Sequence, residues 1–508
     1  MPEPKKISTR LNAAQQEAVF YAGGHLLIMA GPGTGKTHTL IQRIVGRTGR
    51  LPQGQRILAV TFTRKAAQEM RERLSCRPDA ADERVVVGTF HQFCLSFLKE
   101  HAGGLGLAPS FGVASPEKIE LIAKELWPGK KRKDIRITLE EISHYKSNRW
   151  QEPAPEVVLR YNRCLHQRGL LDFDDLLVIT LESLNHNDHP VFHDIFVDEY
   201  QDINPLQHAL LKALLKNGGT LTAIGDPNQA IYGFRGSDVK FFQTFEEDFP
   251  GAVVKSLSDN YRSAPNILNA SIQMIAPHPG LPVPALTARL YHEGRLTIHE
   301  APTDKAEAEY VVHSIEKLIG GIGMFSQDSG RVTSAHESDF SFGDIAVLYR
   351  LNSQRFALKE AFDRLGIPYH VSGEDADAAL DEADDVFRSN IVEPEPVAEK
   401  VALMTLHAAK GLEFPVVFII GCEDDIIPLN LEGFGLDSNE ERRLLYVGMT
   451  RAQERLYLTF AKRRFLYGRR RHSKASPFLA DITEELQKEE QPALSRRKDR
   501  ERDQIKFF

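Results

Sequence analysis

Residues 30–37 read Ala-Gly-Pro-Gly-Thr-Gly-Lys-Thr, and no other stretch restricts the fold of this chain as strongly. A short apolar run, His25-Leu-Leu-Ile-Met29, leads into it, and Thr39-Leu-Ile-Gln-Arg-Ile-Val45, spaced as a helix, follows. Strand, glycine-rich turn and helix in that order are the setting of a phosphate-binding loop. The glycines let successive backbone N–H groups turn inward around a polyphosphate, and the helix N-terminus adds a favourable dipole. Lys36 is placed to reach the β- and γ-phosphates, and the Thr37 hydroxyl to hold Mg²⁺. Ala30 stands where the pattern G-x-x-x-x-G-K-[ST] has its first glycine. An ordinary turn has no need of Gly-Lys-Thr in that order, so the loop is expected to bind a nucleotide.

Repetition of the strand–helix texture extends this into a fold class. Ile57-Leu-Ala-Val-Thr-Phe-Thr63 reads as a buried strand running into a helix over 65–74, and Val85-Val-Val-Gly-Thr-Phe-His91 repeats the unit. Such alternation predicts a parallel α/β sheet with ligands at the carboxyl ends of its strands. Upstream, Asn12 is placed to cap a helix. Between about 109 and 166 helical patterns dominate, with a basic loop at 128–133, as in a helical subdomain inserted into the sheet domain. The α/β texture resumes through Asp172-Phe-Asp-Asp-Leu-Leu177 and reaches Asp194-Ile-Phe-Val-Asp-Glu-Tyr-Gln-Asp202. An apolar strand ending in Asp198-Glu199 is where a P-loop enzyme places its metal-binding acid and its base. Leu221-Thr-Ala-Ile-Gly-Asp-Pro-Asn-Gln229 is a further strand with polar groups at its end.

A second strand–helix set starts near Ser256 and lacks a phosphate loop of its own. The expected layout is a first domain at 1–108 and 167–255, the insertion at 109–166, and a second domain at 256–373 and 400–484. An acidic linker at 374–399 and a charged, mobile tail at 485–508 complete it. Within that linker, residues 374–385 hold seven acids and no base, which marks a solvated segment.

Composition limits the setting. A chain of 508 residues with 42% hydrophobic and 26% charged content has room for more than one globular core. No apolar run approaches a membrane span and the N-terminus lacks a signal-peptide core, so a cytoplasmic protein without a membrane partner is expected. Cys76, Cys94, Cys164 and Cys422 are scattered, which argues against zinc or a disulfide framework. The net charge of −7 leaves room for a local basic groove.

The motifs LNAAQ, AGPGTGKT, AVTFTRKAA, GTFH, LDFDDLL, VDEYQD, IGDPNQAIYGFRG, LSDNYRS, TLHAAKGLEF and YVGMTRA occur in order from Leu11 onward. Taken together they resemble the UvrD/Rep-type helicases of superfamily 1. The resemblance implies two RecA-like domains, ATP with Mg²⁺ between them, and single-stranded or 3′-tailed duplex DNA as partner. It implies adenine contacts from Gln15 and Tyr261, with His38 standing where many members carry Arg. It implies phosphate contacts from Ala30, Gly31, Pro32, Gly33, Thr34, Gly35, Lys36 and Thr37, and a ribose contact from Glu413. Metal would be held by Thr37 and Asp198, with Glu199 as base, Gln229 as γ-phosphate sensor, and Arg262 and Arg451 reaching from the second domain as arginine fingers. DNA contacts would come from Phe62, Thr63, Thr89, His91, Tyr232, Phe234, Arg235, Arg350, Asn352 and His407.

The implied activity is an ATP-dependent 3′–5′ helicase or translocase in repair or replication. A motor that clears proteins without unwinding and a non-catalytic scaffold are the alternatives. The intact Lys36, Glu199, Gln229, Arg262 and Arg451 speak against the scaffold. Members usually carry a large helical subdomain between His370 and Val401, where this chain has only the acidic linker. The final Gln504, Ile505, Lys506, Phe507 and Phe508 resemble a sliding-clamp-binding peptide.

Overall fold

A computed structural model of the chain describes residues 11–76, 83–108, 110–186, 192–216, 218–283, 285–320, 340–372, 399–430 and 437–486. The acidic linker, apart from Glu399, and the terminal pentapeptide lie outside the described residues. The chain forms two compact units. One is Met1–Leu268 with Ile275–Tyr291 and Gly435–Val447; the other is Asn269–Met274 with His292–Phe434 and Gly448–Phe508.

In the first unit, α1 (Ala13–Phe20), β1 (Leu26–Ala30), α2 (Lys36–Thr48), β2 (Arg56–Thr61), α3 (Arg64–Ser75), β3 (Val85–Thr89) and α4 (Phe90–His101) alternate. The insertion follows as β4 (Gly112–Val113), α5 (Pro116–Leu126), α6 (Arg132–Asn148), α7 (Glu156–His166) and β5 (Leu170–Leu171), with β4 and β5 paired. It has its own small core around Ile122, Ile142, Val158, Tyr161 and Leu165. Its α6 is tied down by Lys146, whose ammonium lies 2.6 Å from both Asp172 and Asp175. Alternation returns with α8 (Phe173–His186), β6 (Phe192–Val197), α9 (Pro205–Leu214), β7 (Thr220–Gly225) and β8 (Val253–Leu257).

The six long strands form one parallel sheet in the order β3-β2-β6-β7-β1-β8. Apolar residues run through these strands without alternation because helices cover both faces. That order decides where the chemistry sits. With β1 beside β7 and β7 beside β6, the phosphate loop, Asp226 and Asp198 emerge from neighbouring carboxyl ends.

The second unit repeats the plan with β11 (Arg295–Ala301), β12 (Ile345–Tyr349), β13 (Tyr369–Val371), β14 (Val401–Thr405), β15 (Phe414–Ile419) and β16 (Ala452–Ala461). They too are all parallel, in the order β11-β16-β15-β12-β14-β13. Helices Asp304–Leu318 and Arg355–Leu365 bury Val311, Ile315, Leu358 and Phe362 against the sheet. Two helix-flanked parallel sheets, the first interrupted by a helical insertion, are the expected α/β class of two RecA-like domains.

The stretch after Ser256, read in the sequence as the head of the second domain, packs with the first unit. Strand β8 pairs with β1 as far as Leu257, and two strands of two residues, β9 (Asp259–Asn260) and β10 (Thr287–Ala288), then pair with each other. Asn260 Nδ2 and the Tyr261 N–H donate to the Pro32 and Gly33 carbonyls of the loop, at 2.7 and 2.9 Å.

Candidate active site and nucleic-acid interface

Local backbone chemistry explains the shape of the phosphate loop. Gly33 and Gly35 have φ of 66° and 79°, the left-handed region that favours glycine. A Cβ on Gly33 would also lie 2.6 Å from Arg262 Cβ and 2.7 Å from Asn260 Nδ2. Ala30, by contrast, is the last residue of β1 and pairs with Leu257, so nothing there calls for glycine. Within the loop Lys36 Nζ donates to the Ala30 and Gly31 carbonyls at 3.1 and 3.3 Å. Thr37 and His38 lie in the first turn of α2.

Asp198 follows β6, its N–H continuing the ladder to the Val60 carbonyl at 2.9 Å. Burial, and then the Glu199 charge, push its carboxyl up to about 7, partly offset by Lys36. Glu199 holds φ at 51°, a sparsely populated conformation for a residue with a side chain, and Gln201 Nε2 donates to its Oε2 at 2.5 Å. Gln201 Oε1 accepts from the Asp226 N–H at 3.0 Å, and Gln229 Nε2 donates to Asp226 Oδ2 at 2.7 Å. Asp198, Glu199, Asp226 and Gln229 are therefore one connected array, with Lys36 as a cation whose field reaches both aspartates. Asp226 and Gln201 were not singled out in the sequence, although both lie inside quoted motifs.

A second array sits beside α1. Asn12 caps the helix through Oδ1, as expected, while its Nδ2 reaches Asp259 at 3.0 Å and the Tyr261 hydroxyl at 2.9 Å. Gln15 Nε2 donates to the Thr34 carbonyl at 3.0 Å, and Arg289 pairs with Asp259 at 2.7 Å. Tyr261 keeps 46% of its surface exposed. Arg262 belongs to this unit, its N–H bonded to Asn260 Oδ1.

The second unit holds Glu413 and Arg451 at the starts of β15 and β16. Arg451 is buried and donates to the Leu412 carbonyl and the Thr450 hydroxyl at 3.1 and 3.2 Å, while Glu413 accepts from Gln453.

The nucleic-acid candidates divide in the same way. In the first unit Phe62 stacks on Tyr232 with centroids 5.2 Å apart, Phe234 meets Tyr232 at 6.0 Å, and Arg235 lies over both rings of the Tyr232–Phe234 pair. Phe234 is 42% exposed, so this cluster is not a closed core. His91 meets Phe173 edge-on at 5.5 Å; burial and then Arg64 lower its imidazole to about 4, so the ring is neutral at pH 7. Phe173, exposed beside it, is an aromatic the sequence reading quoted only as part of a motif. Thr63 and Thr89 cap α3 and α4, their hydroxyls accepting from Ala66 and Gln92 N–H groups, so a phosphate contact there would use the O–H hydrogen. In the second unit Arg350 and Asn352 follow β12 and His407 follows the adjacent β14; all three are buried. Gln354 Oε1 accepts from the Arg350 and Leu351 N–H groups and fixes that turn.

Among the described residues no group of three or more His, Cys, Asp or Glu is arranged to hold a metal. A nucleotide-bound Mg²⁺ does not need one, since phosphates and water supply most of its ligands.

A phosphate loop with an acid pair at a nearby strand end defines a P-loop ATPase. Comparison with known proteins narrows the class. The UvrD/REP helicase N-terminal domain matches residues 11–250, and the UvrD-like helicase C-terminal domain matches 255–376 and 384–463. The chain belongs to the UvrD/Rep-type superfamily 1 helicases and is thus a DNA-dependent ATPase. Similar proteins include the ATP-dependent DNA helicases PcrA of Staphylococcus epidermidis and Leuconostoc citreum. Both are 28% identical to it, covering 94% and 97% of this chain and 87% of each relative. PcrA of Staphylococcus aureus is also 28% identical, over 94% of this chain and 86% of its own. Among the described residues no helix is long and apolar enough to cross a membrane.

Proposed function

We propose that the chain is a cytoplasmic motor that hydrolyses ATP to move 3′ to 5′ on single-stranded DNA and unwinds 3′-tailed duplex during repair or replication. One observation carries the coupling. Gln229, bonded to Asp226 in the nucleotide array, is separated by only Ala230 and Ile231, both buried, from Tyr232, which stacks on Phe62. A change at the γ-phosphate is therefore one short, packed link away from a base-stacking ring. The polarity rests on Asn260-Tyr-Arg-Ser263 and on TLHAAKGLEF at 405–414.

In this reading Lys36 exchanges the Ala30 and Gly31 carbonyls for β- and γ-phosphate oxygens. Thr37 and Asp198 hold Mg²⁺, which neutralises charge on the phosphates. The Asp198 site suits a cation because its carboxyl is destabilised as an anion by burial and by Glu199. Glu199 orients the attacking water and takes its proton, with Gln201 holding the carboxylate. Gln15 and Tyr261 take the adenine and Glu413 the ribose; Arg262 and Arg451 offset charge in the transition state. Phe62, Tyr232 and Phe234 hold bases by stacking, which is indifferent to sequence.

Translocation without unwinding is the second reading, and a specific observation keeps it open. The match to the S. epidermidis relative runs over 650 positions, to which 94% of this chain contributes about 478, so about 170 have no counterpart here. The acidic linker at 374–399 is the proposed site of that shortening. ATPase with and without single-stranded DNA, beside unwinding of 3′- and 5′-tailed duplexes with protein limiting, separates the readings. Strand separation on the 3′ tail alone is expected. Stimulated ATPase without strand separation on either tail selects the translocase, and unwinding from the 5′ tail overturns the polarity. Gln504–Phe508 is proposed to dock on a sliding clamp, which a pull-down lacking those residues would test.

A further inference from the structure

The link between Gln229 and the stacked aromatics is held from outside by a helix far away in sequence. Helix Ser438–Met449 begins within the first unit and ends two residues before Arg451. Two of its residues, Glu440 and Arg443, are three apart and so share a face. Arg443 Nε donates to the Ala230 carbonyl at 2.6 Å, at the start of the link. The Glu440 carboxylate accepts from the Gly233 N–H at its other end. Arg443 is itself positioned: its NH1 lies 2.6 Å from His278 Nε2, and Asp437 lies 3.8 Å from its NH2. Burial, then the nearby guanidinium, lower the His278 imidazole, so that nitrogen is an acceptor for Arg443. A Cβ at Gly233 would collide with Glu440 Oε2, so the carboxylate's approach depends on glycine there.

We propose that Glu440 and Arg443 are a positioning pair that braces Ala230–Gly233 and so makes the base stack and the γ-phosphate site move as one. The inference rests on the DNA-motor reading given above. Neither residue is among those assigned above to nucleotide or DNA. Without the brace the link becomes slack, and DNA held by Tyr232 no longer sets Gln229 for hydrolysis. The basal reaction, whose assigned residues include neither Glu440 nor Arg443, is left intact.

The test is the ratio of DNA-stimulated to DNA-free ATPase turnover, measured with oligo-dT on the full chain. Arg443→Ala and Glu440→Ala should each lower the ratio by about tenfold, the effect of losing one charge-assisted hydrogen bond. DNA-free turnover and the KM for ATP should stay within about twofold of the parent. Glu440→Gln keeps a carbonyl acceptor for Gly233 and should restore most of the ratio. Gly233→Ala displaces only the Glu440 carboxylate and should reproduce Glu440→Ala even where a charge deletion fails to fold. A parent-like ratio in the folded alanine variants, or a matched fall of both rates, overturns the proposal. A parent that DNA does not stimulate overturns the motor reading instead, and the brace falls with it.

Discussion

Each unit buries a cluster of carboxylates around one cation, and the two clusters are built to opposite ends. In the second unit Arg464 donates to both Glu307 and Glu423. Glu307 Oε1 also accepts from the Gly421 N–H and the Thr459 hydroxyl, and Glu423 Oε1 from the Ala461 N–H, all within 3.0 Å. The guanidinium is held more firmly protonated than usual despite its burial, because both glutamates face it. In the first unit Asp198 and Asp226 share the field of Lys36, which bonds loop carbonyls at Ala30 and Gly31, and both feel the charge of Glu199. There burial raises both aspartates toward their neutral forms. A cluster whose charges are met internally stabilises a fold; one left with surplus anion invites a cation and a phosphate.

The largest expected effect breaks the under-compensated cluster at its working member. Glu199→Gln removes the base while keeping size and the hydrogen bond from Gln201, so ATP binding should persist. Turnover should fall by roughly 10²–10⁴-fold. Thermal stability should hold or rise, because one like charge beside the buried Asp198 is gone. Single-turnover ATPase together with a melting curve checks both; a variant with near-parent turnover removes Glu199 from the mechanism.

The converse change belongs to the satisfied cluster. Arg464→Met leaves two buried carboxylates without their cation and should cost about 3–5 kcal/mol of stability. Urea unfolding monitored in the second unit measures it. ATP binding by whatever fraction remains folded should match the parent, because the phosphate loop belongs to the other unit. A stability loss below about 1 kcal/mol would mean that the cluster is not what holds the ends of β15 and β16 together.

Sequence alone separates these two clusters only in part, and the reason is spacing. The phosphate loop and Asp198-Glu199 are contiguous motifs, so their chemistry is legible before any fold is known. The alternation of strands and helices likewise carries the α/β class. Strand order is not contiguous information. That β1 lies between β7 and β8 is what sets Asp226 near Lys36 and carries Asn260 onto the loop. Asn12 looked like a cap and is one, but its second amide donor, which bonds Asp259 and Tyr261, is visible only once the chain has folded. Arg464, Glu307 and Glu423 fall in no motif at all. Ala30 shows the reverse: a departure from the loop pattern that costs nothing, because its position is strand rather than turn.

Glu440 lies between the two extremes and gives the smallest effect, one that depends on pH. Its carboxyl faces Arg443, Glu441, Asp437 and the Gly233 N–H. Burial, the largest cause, raises it from 4.5 to about 7, with Glu441 and Asp437 adding to the rise and Arg443 opposing it. Between those values the folded chain keeps a proton that the unfolded chain has released. Stability from this group is therefore present at acid pH, declines as pH rises from 4.5 toward 7, and is absent above that. Glu440→Gln cannot ionise and should escape the decline. It should match the parent near pH 4.5 and exceed it at pH 8 by of order 1 kcal/mol, after allowance for solvent screening. Melting curves for both proteins across that range give the difference directly. Parallel curves would mean that Arg443 compensates Glu440 as fully as Arg464 compensates its two glutamates. The brace would then be a satisfied ion pair of the second unit's kind, with no surplus charge at neutral pH.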